Sequence, residues 1–139
     1  MGEVFEKLKE KHIRLTPQRL AVYAALTREN KHLTVEEIYG KIKKKFPAVS
    51  LATVYSILEL YRKKGIAAEI RITFNRSCFE ARTDSHHHFF CRDCKKIYDI
   101  ELRPCPALRA AQVDGHSIEE LHGYFYGRCR ECRQEGKDK

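Results

Sequence analysis

Ser50-Leu51-Ala52-Thr53-Val54-Tyr55-Ser56-Ile57-Leu58-Glu59-Leu60-Tyr61-Arg62-Lys63-Lys64-Gly65 is the stretch on which the fold turns. Val54, Ile57, Leu58 and Tyr61 recur three and four apart and so share one face of a helix. Ser50 offers a hydroxyl cap at its start. The basic run Arg62-Lys63-Lys64 suits the negative helix end, and Gly65 suits the left-handed stop after it. The period then drops to two. Ile70, Ile72 and Phe74 are expected on one face, with Glu69, Arg71 and Thr73 on the other, and Asn75-Arg76-Ser77 reads as a turn before Cys78-Phe79-Glu80. A capped helix running into a β-hairpin predicts a helix-turn-helix with a wing.

Upstream the same signals repeat. Val4, Phe5 and Leu8 give a short amphipathic helix to about Lys11. Thr16-Pro17 starts a second helix, a hydroxyl cap followed by proline where no backbone donor is needed, with Leu20, Tyr23, Ala24 and Leu26 facing inward. Thr34-Val35-Glu36-Glu37 fits a capping box, and Ile38, Tyr39, Ile42 and Phe46 carry the third helix to Pro47.

Charge divides unevenly along the 139 residues. Of the net +8, residues 1–70 carry +6 and residues 71–139 carry +2. A basic first half points to a polyanion, most commonly nucleic acid. The 42% hydrophobic and 33% charged content excludes a disordered chain. No apolar run approaches the roughly 20 residues of a spanning helix. Met1-Gly2-Glu3-Val4-Phe5-Glu6-Lys7 lacks the apolar core of a signal peptide, so a soluble cytoplasmic chain with no membrane partner is expected. The helix from Ser50 is the candidate for the major groove: Ser50, Thr53, Tyr55 and Ser56 can reach phosphates, base edges or thymine methyls. The plainer reading is that Tyr55 packs and the hydroxyls only cap. Arg19 and the lysines of 41–45 suit phosphates better than bases.

Six cysteines in an intracellular chain point to metal or reactive thiols rather than a disulfide framework. Cys91-Arg92-Asp93-Cys94 and Cys129-Arg130-Glu131-Cys132 are two CxxC knuckles that together supply the four thiolates of a closed, structural zinc(II) site. The 34 residues between them require an element that loops out. In Ser85-His86-His87-His88-Phe89-Phe90-Cys91, alternation sends His86 and His88 to one face and His87 to the surface on the other. Lys96-Ile97-Tyr98-Asp99-Ile100 is again strand-like. A hairpin symmetric about the knuckle pairs positions summing to 185, setting His86 opposite Asp99 and His88 diagonal to it. Two imidazoles and a carboxylate on one face suit iron(II), manganese(II) or zinc(II). Cys105, between two prolines, is read as the start of a helix containing Leu108 and Val113. Cys78 is read as buried packing or a reactive thiol.

With these residues assembled, the chain resembles the ferric uptake regulator family of bacterial metal-dependent repressors over nearly its whole length. The matching stretches are Arg14-Leu15-Thr16-Pro17-Gln18-Arg19, His32-Leu33-Thr34-Val35-Glu36-Glu37-Ile38-Tyr39, Ser50-Leu51-Ala52-Thr53-Val54-Tyr55, His86-His87-His88 before Cys91-x-x-Cys94, and Tyr126-Gly127-Arg128-Cys129-x-x-Cys132. The resemblance implies an α+β chain: a winged-helix DNA-binding domain over residues 1–80, and an α/β dimerisation domain over 81–139 with the cysteine-bound zinc. It implies a homodimer on a palindromic double-stranded operator. It also implies two further ligands, His32 and Glu80, which with His86, His88 and Asp99 form a regulatory site for iron(II), manganese(II) or zinc(II). A metal held from both domains would favour the operator-binding geometry.

Three departures bear on the subtype. Ser56 stands where iron sensors commonly have arginine. Leu121 occupies a usual histidine position of a further site, with His122 displaced by one. Asp99 resembles the peroxide-sensing branch, where iron bound there leads to oxidation of the ligand histidines, whereas Glu80 resembles the iron-sensing branch. The alternatives are a zinc-uptake-type regulator or a zinc-ribbon interaction module without a regulatory site. A metalloenzyme using His86, His88 and Asp99 would lack an evident general base and leave the basic half unexplained, so no enzymatic activity is expected.

Overall fold

Residues 2–28, 32–83, 86–101, 112–119, 121 and 123–135 are described by a computed structural model. The chain divides into two compact units, Met1–Asp84 and Ser85–Lys139.

The first unit is built from α1 (Gly2–Glu10), α2 (Pro17–Arg28), β1 (Leu33–Thr34), α3 (Val35–Lys45), α4 (Leu51–Lys63), β2 (Ala68–Thr73) and β3 (Arg76–Glu80). Val54, Ile57, Leu58 and Tyr61 are the buried positions of α4, as its spacing predicts. Ser50 caps α4 by accepting from the Thr53 amide at 3.1 Å. Gly65 closes the turn beyond it with φ 72°. In α2 the buried residues are Val22, Tyr23 and Leu26, with Leu20 and Ala24 only half-buried. Val22 escapes a periodicity reading because residues 20–26 are apolar all round, leaving no polar face to define the inner one. The Tyr61 hydroxyl, sunk in the core edge-on to Tyr23 at 5.7 Å between ring centres, donates to the Arg19 carbonyl.

The capping box at α3 is complete. The Glu37 amide donates to Thr34 Oγ1 at 3.2 Å, and the Thr34 amide donates to Glu37 Oε2 at 2.8 Å. Thr34→Ala should destabilise this unit by about 1 kcal/mol, the usual cost of losing such a cap. Urea unfolding of the two chains checks this, as a lower midpoint at unchanged slope.

Antiparallel pairing gives the sheet order β1-β3-β2. The wing differs from its expected form at the tip. Ile70 pairs with Cys78 and Thr73 with Arg76, so a bulge on β2 lies between them. Arg76 and Ser77 therefore belong to β3, and the turn is Phe74-Asn75. Ile70 and Ile72 are each 2% exposed, whereas Phe74, expected alongside them, is fully exposed. The strand has already passed the edge of the core when it reaches Phe74.

The second unit centres on β4 (His87–Cys91), β5 (Ile97–Ile100) and β8 (Tyr124–Gly127), in the order β5-β4-β8. β5 runs antiparallel to β4, and β8 parallel to it. A parallel neighbour needs a crossover, and this accounts for the long interval between the two knuckles. Within that interval β6 (Gln112–Val113) and β7 (His116–Ser117) form a hairpin about Asp114-Gly115, with φ of 54° and 81°. Asp-Gly at a two-residue turn is the sequence that tolerates two positive φ values. Val113 is thus in a strand and not in the expected helix; Cys105, Leu108 and His122 lie outside the described residues. The short helix α5 (Arg130–Gln134) follows β8. Among the described residues no helix is long and apolar enough to cross a membrane.

Candidate metal centres and nucleic-acid interface

Four thiols converge at one end of the second unit. β4 ends at Cys91, and the chain doubles back through Lys95 in the left-handed region at φ 64°. The Lys95 amide donates to the Cys91 carbonyl at 2.9 Å, and the Cys91 amide donates to the Lys96 carbonyl at 3.0 Å. On the neighbouring strand Gly127 lies opposite Cys91, which delivers Cys129 as the cap of α5. The Sγ atoms of Cys91, Cys94, Cys129 and Cys132 all lie within 4.8 Å of one another. The Cys91–Cys132 and Cys94–Cys129 sulfurs are each 3.8 Å apart. A disulfide would bring sulfurs to about 2.05 Å. A tetrahedron with metal–sulfur bonds of about 2.3 Å has an edge of about 3.8 Å. The thiols therefore fit one four-coordinate ion.

Backbone amides prepare the thiolates. The Cys129 amide donates to Cys91 Sγ at 3.3 Å and the Cys132 amide to Cys129 Sγ at 3.4 Å. Burial pushes the Cys91 thiol up, but the amides of Cys94, Cys129 and Asp93 outweigh it and hold the thiol at about 6. The Tyr98 hydroxyl first, and then the Cys132 amide, lower Cys129. Cys132 is raised instead, by its hydrogen bond with Cys129 and then by burial, so the cluster retains a proton that a cation would displace. Tyr98 was not singled out by sequence; its only signal was an aromatic with a polar tip one strand away from the knuckle. Arg128 pairs with Asp93, tying the two knuckle loops together.

On the sheet, His88 lies directly opposite Asp99 and His87 opposite Ile100. Paired positions sum to 187, so the expected partner His86 gives way to His88. The knuckle loop is not symmetric about its cysteines, because Lys95 and Lys96 follow the second thiol before pairing resumes. A slip of two residues preserves the face of every side chain, whereas a slip of one would reverse it. Convergence survives: His86 Nε2 is 3.3 Å and His88 Nε2 3.5 Å from the same Asp99 oxygen. The two imidazoles are 4.5 Å apart between ring centres, and His88 is buried.

His87 is on the opposite face, as expected, but it is not a surface side chain. Its ring stands edge-on to Phe125 at 6.2 Å, and a Cβ at Gly123 would come within 2.1 Å of its Nδ1. Gly123 leaves the room that this imidazole fills.

In the first unit β1 pairs with β3, Leu33 opposite Phe79 and Thr34 opposite Cys78. The same register carried one residue further sets His32 beside Glu80, and His32 Nε2 lies 3.0 Å from Glu80 Oε2. Both side chains are more than nine-tenths shut off from solvent. β1 has only two residues, too few to show a period, so spacing alone could not have paired them. Cys78 is buried between these strands, and burial holds its thiol up at about 11, which makes it a packing residue rather than a nucleophile.

The outer face of α4 carries the four residues expected to read a groove. Ser50, Thr53, Tyr55 and Ser56 are all exposed, as is Leu51. Tyr55 is 47% exposed and does not pack into the core. Ser50 Oγ and Thr53 Oγ1 are 2.9 Å apart, so both hydroxyls serve the cap while still facing outward. Arg19 has a structural task, its guanidinium donating to the Arg14 carbonyl at 3.0 Å.

A winged-helix unit followed by a thiol cluster and a His/Asp cluster defines a class, the metal-responsive DNA-binding regulators. The chain belongs to the ferric uptake regulator family, whose model matches residues 10–123. It is 35% identical over 134 residues to the peroxide operon regulator of Bacillus subtilis, covering 95% of this chain and 92% of that protein. It is similar to the crystal structure of the Campylobacter jejuni peroxide stress regulator, at 27% identity and a TM-score of 0.67, over 94% of this chain and 97% of that one. The Helicobacter pylori ferric uptake regulator shares the fold at 23% identity and a TM-score of 0.74, over 99% and 95% of the two chains.

Proposed function

We propose that this chain is a cytoplasmic, metal-dependent transcriptional repressor that binds a palindromic operator as a homodimer and responds to peroxide. Cys91, Cys94, Cys129 and Cys132 would hold a structural zinc(II). His86, His88 and Asp99, joined by His32 and Glu80, would hold one regulatory iron(II) or manganese(II). The observation that carries this reading is the meeting of two histidine nitrogens at one Asp99 oxygen. Three donors leave the coordination of a first-row ion incomplete, and His32 with Glu80 brings an imidazole and a carboxylate of the same ligand class. The chain tether supports sharing, since Glu80 and His86 are only six positions apart in the chain, at most about 20 Å of extended backbone.

Ligation by both sets of residues would hold the two units in a single geometry. In the dimer, two α4 helices would then match half-sites about one turn, roughly 34 Å, apart. The gain in operator affinity equals the preference of the ion for that geometry over the others available. Iron(II) bound there would supply the electrons that reduce peroxide, and His86 and His88, as its ligands, would be the side chains exposed to that oxidation.

Asp99 and the peroxide-regulator relatives support peroxide sensing; Glu80, a glutamate paired with His32, supports reversible iron sensing as the second reading. Anaerobic loading with iron(II) or manganese(II), then hydrogen peroxide and mass spectrometry, separates them. One added oxygen on a peptide containing His86 or His88, with iron and not with manganese, is expected of a peroxide sensor. Unmodified peptides and reversible iron-dependent binding would leave the iron-sensing reading.

A further inference from the structure

The wing presents a feature that the proposed site does not use. Phe74 is fully exposed at the tip of the β2–β3 turn, while Ile70 and Ile72 on the same strand are each 2% exposed. A large ring held in water on a tight turn contributes nothing to folding of the unit. Its neighbours are polar or cationic: Asn75 beside it, and Arg71 and Arg76 exposed on the two strands. Apolar partner surfaces would be poorly served by those guanidinium groups, whereas a polyanion would be well served.

The wing also continues the surface of α4. Arg71, ion-paired with Glu69 at 3.1 Å, lies close enough to Tyr55 and Arg62 for their charges to act on it. Glu59 feels Arg71 in the same way. Tyr55, Glu59 and Arg62 follow one another along one side of α4, so the outer side of the hairpin and the exposed side of the helix are adjacent.

We propose that Phe74 is a minor-groove wedge: with α4 in the major groove, its ring enters the adjacent minor groove against a base step, and Arg71 and Arg76 hold the flanking phosphates. Apolar side chains inserted in this way partly unstack the step they touch, so the tip favours pyrimidine–purine steps beyond the bases that α4 reads. This rests on the operator-binding reading above and adds a second contact to it.

The test uses the full-length manganese-loaded protein and a duplex selected by the wild-type chain from random sequence. Phe74→Ala should lower affinity on the order of tenfold, as loss of an aromatic–base contact does. Phe74→Leu, which keeps an apolar wedge, should restore most of it. A 2-aminopurine at the flanking step should brighten with wild type and stay dark with Phe74→Ala. Arg76→Gln should reduce the salt dependence by about one phosphate contact. Because the ring is outside the core, melting temperatures should be unchanged. If wild type selects no sequence, the repressor reading itself fails. If wild type selects one and Phe74→Ala binds it equally, or alters oligomeric state instead, the wedge is overturned and the repressor reading stands.

Discussion

Replacing His88 with alanine is expected to erase the metal-dependent part of operator affinity while leaving the zinc proposed at the four thiols in place. Wild-type protein should bind its selected duplex roughly 5- to 150-fold more tightly with manganese(II) than in chelator, the usual size of a coupling between two sites. His88→Ala should show the chelator affinity under both conditions. The reason is local. His88 stands opposite Asp99 and supplies one of the two nitrogens at that carboxylate, so without it only His86 and Asp99 remain on the sheet. Because His88 is buried, its truncation could also loosen the sheet. One zinc per chain and an unchanged melting curve in chelator separate the two effects. Retention of a metal-induced gain in His88→Ala would remove the regulatory site from this position.

What sequence could disclose depended on how many residues carried each signal. The inner face of α4 was legible because Val54, Ile57, Leu58 and Tyr61 sample it over two turns. The capping box at Thr34 and the two knuckles were legible because local chemistry fixes the residue types and their spacing. Strand register was not. The pairing of His88 with Asp99 is set by how many residues the knuckle needs to return, including a left-handed Lys95 that no composition rule marks. The prediction of convergence survived only because the error was an even number. The His32–Glu80 contact depends on a two-residue strand pairing across more than forty positions, a tertiary choice with no local trace. Phe74 failed for the opposite reason. Its alternation with Ile70 and Ile72 was genuine, but alternation says which side a residue faces and not where the core beneath it ends. Val113 was drawn into a helix although Asp114-Gly115 beside it is strong turn chemistry, a signal present in the sequence but passed over.

Removing the zinc proposed for the four thiols should have the largest effect on stability. The second unit holds about 55 residues, too few for an apolar core to leave much surplus. Structural zinc in small peptides contributes on the order of 10–16 kcal/mol at neutral pH, comparable with or above the 5–15 kcal/mol net stability of ordinary domains. Cys91→Ser should therefore abolish the cooperative unfolding of this unit, and strong chelation of the wild type should do the same, with α1 to α4 remaining helical by circular dichroism. The pH dependence follows from the thiols. Cys91 is held at about 6, below its ordinary value, so the thiolate is favoured in the folded cluster. A group lowered on folding stabilises fully above its unfolded value and loses that contribution as pH falls through its folded value. Zinc retention should thus be strong near neutrality and weaken at pH values below about 6, where protons compete with the ion for Cys91. A chromogenic zinc indicator read from pH 8 down to 4.5 measures it. Zinc loss independent of pH over this range, or a Cys91→Ser chain that unfolds as cooperatively as wild type, would mean that the four thiols do not hold the second unit together.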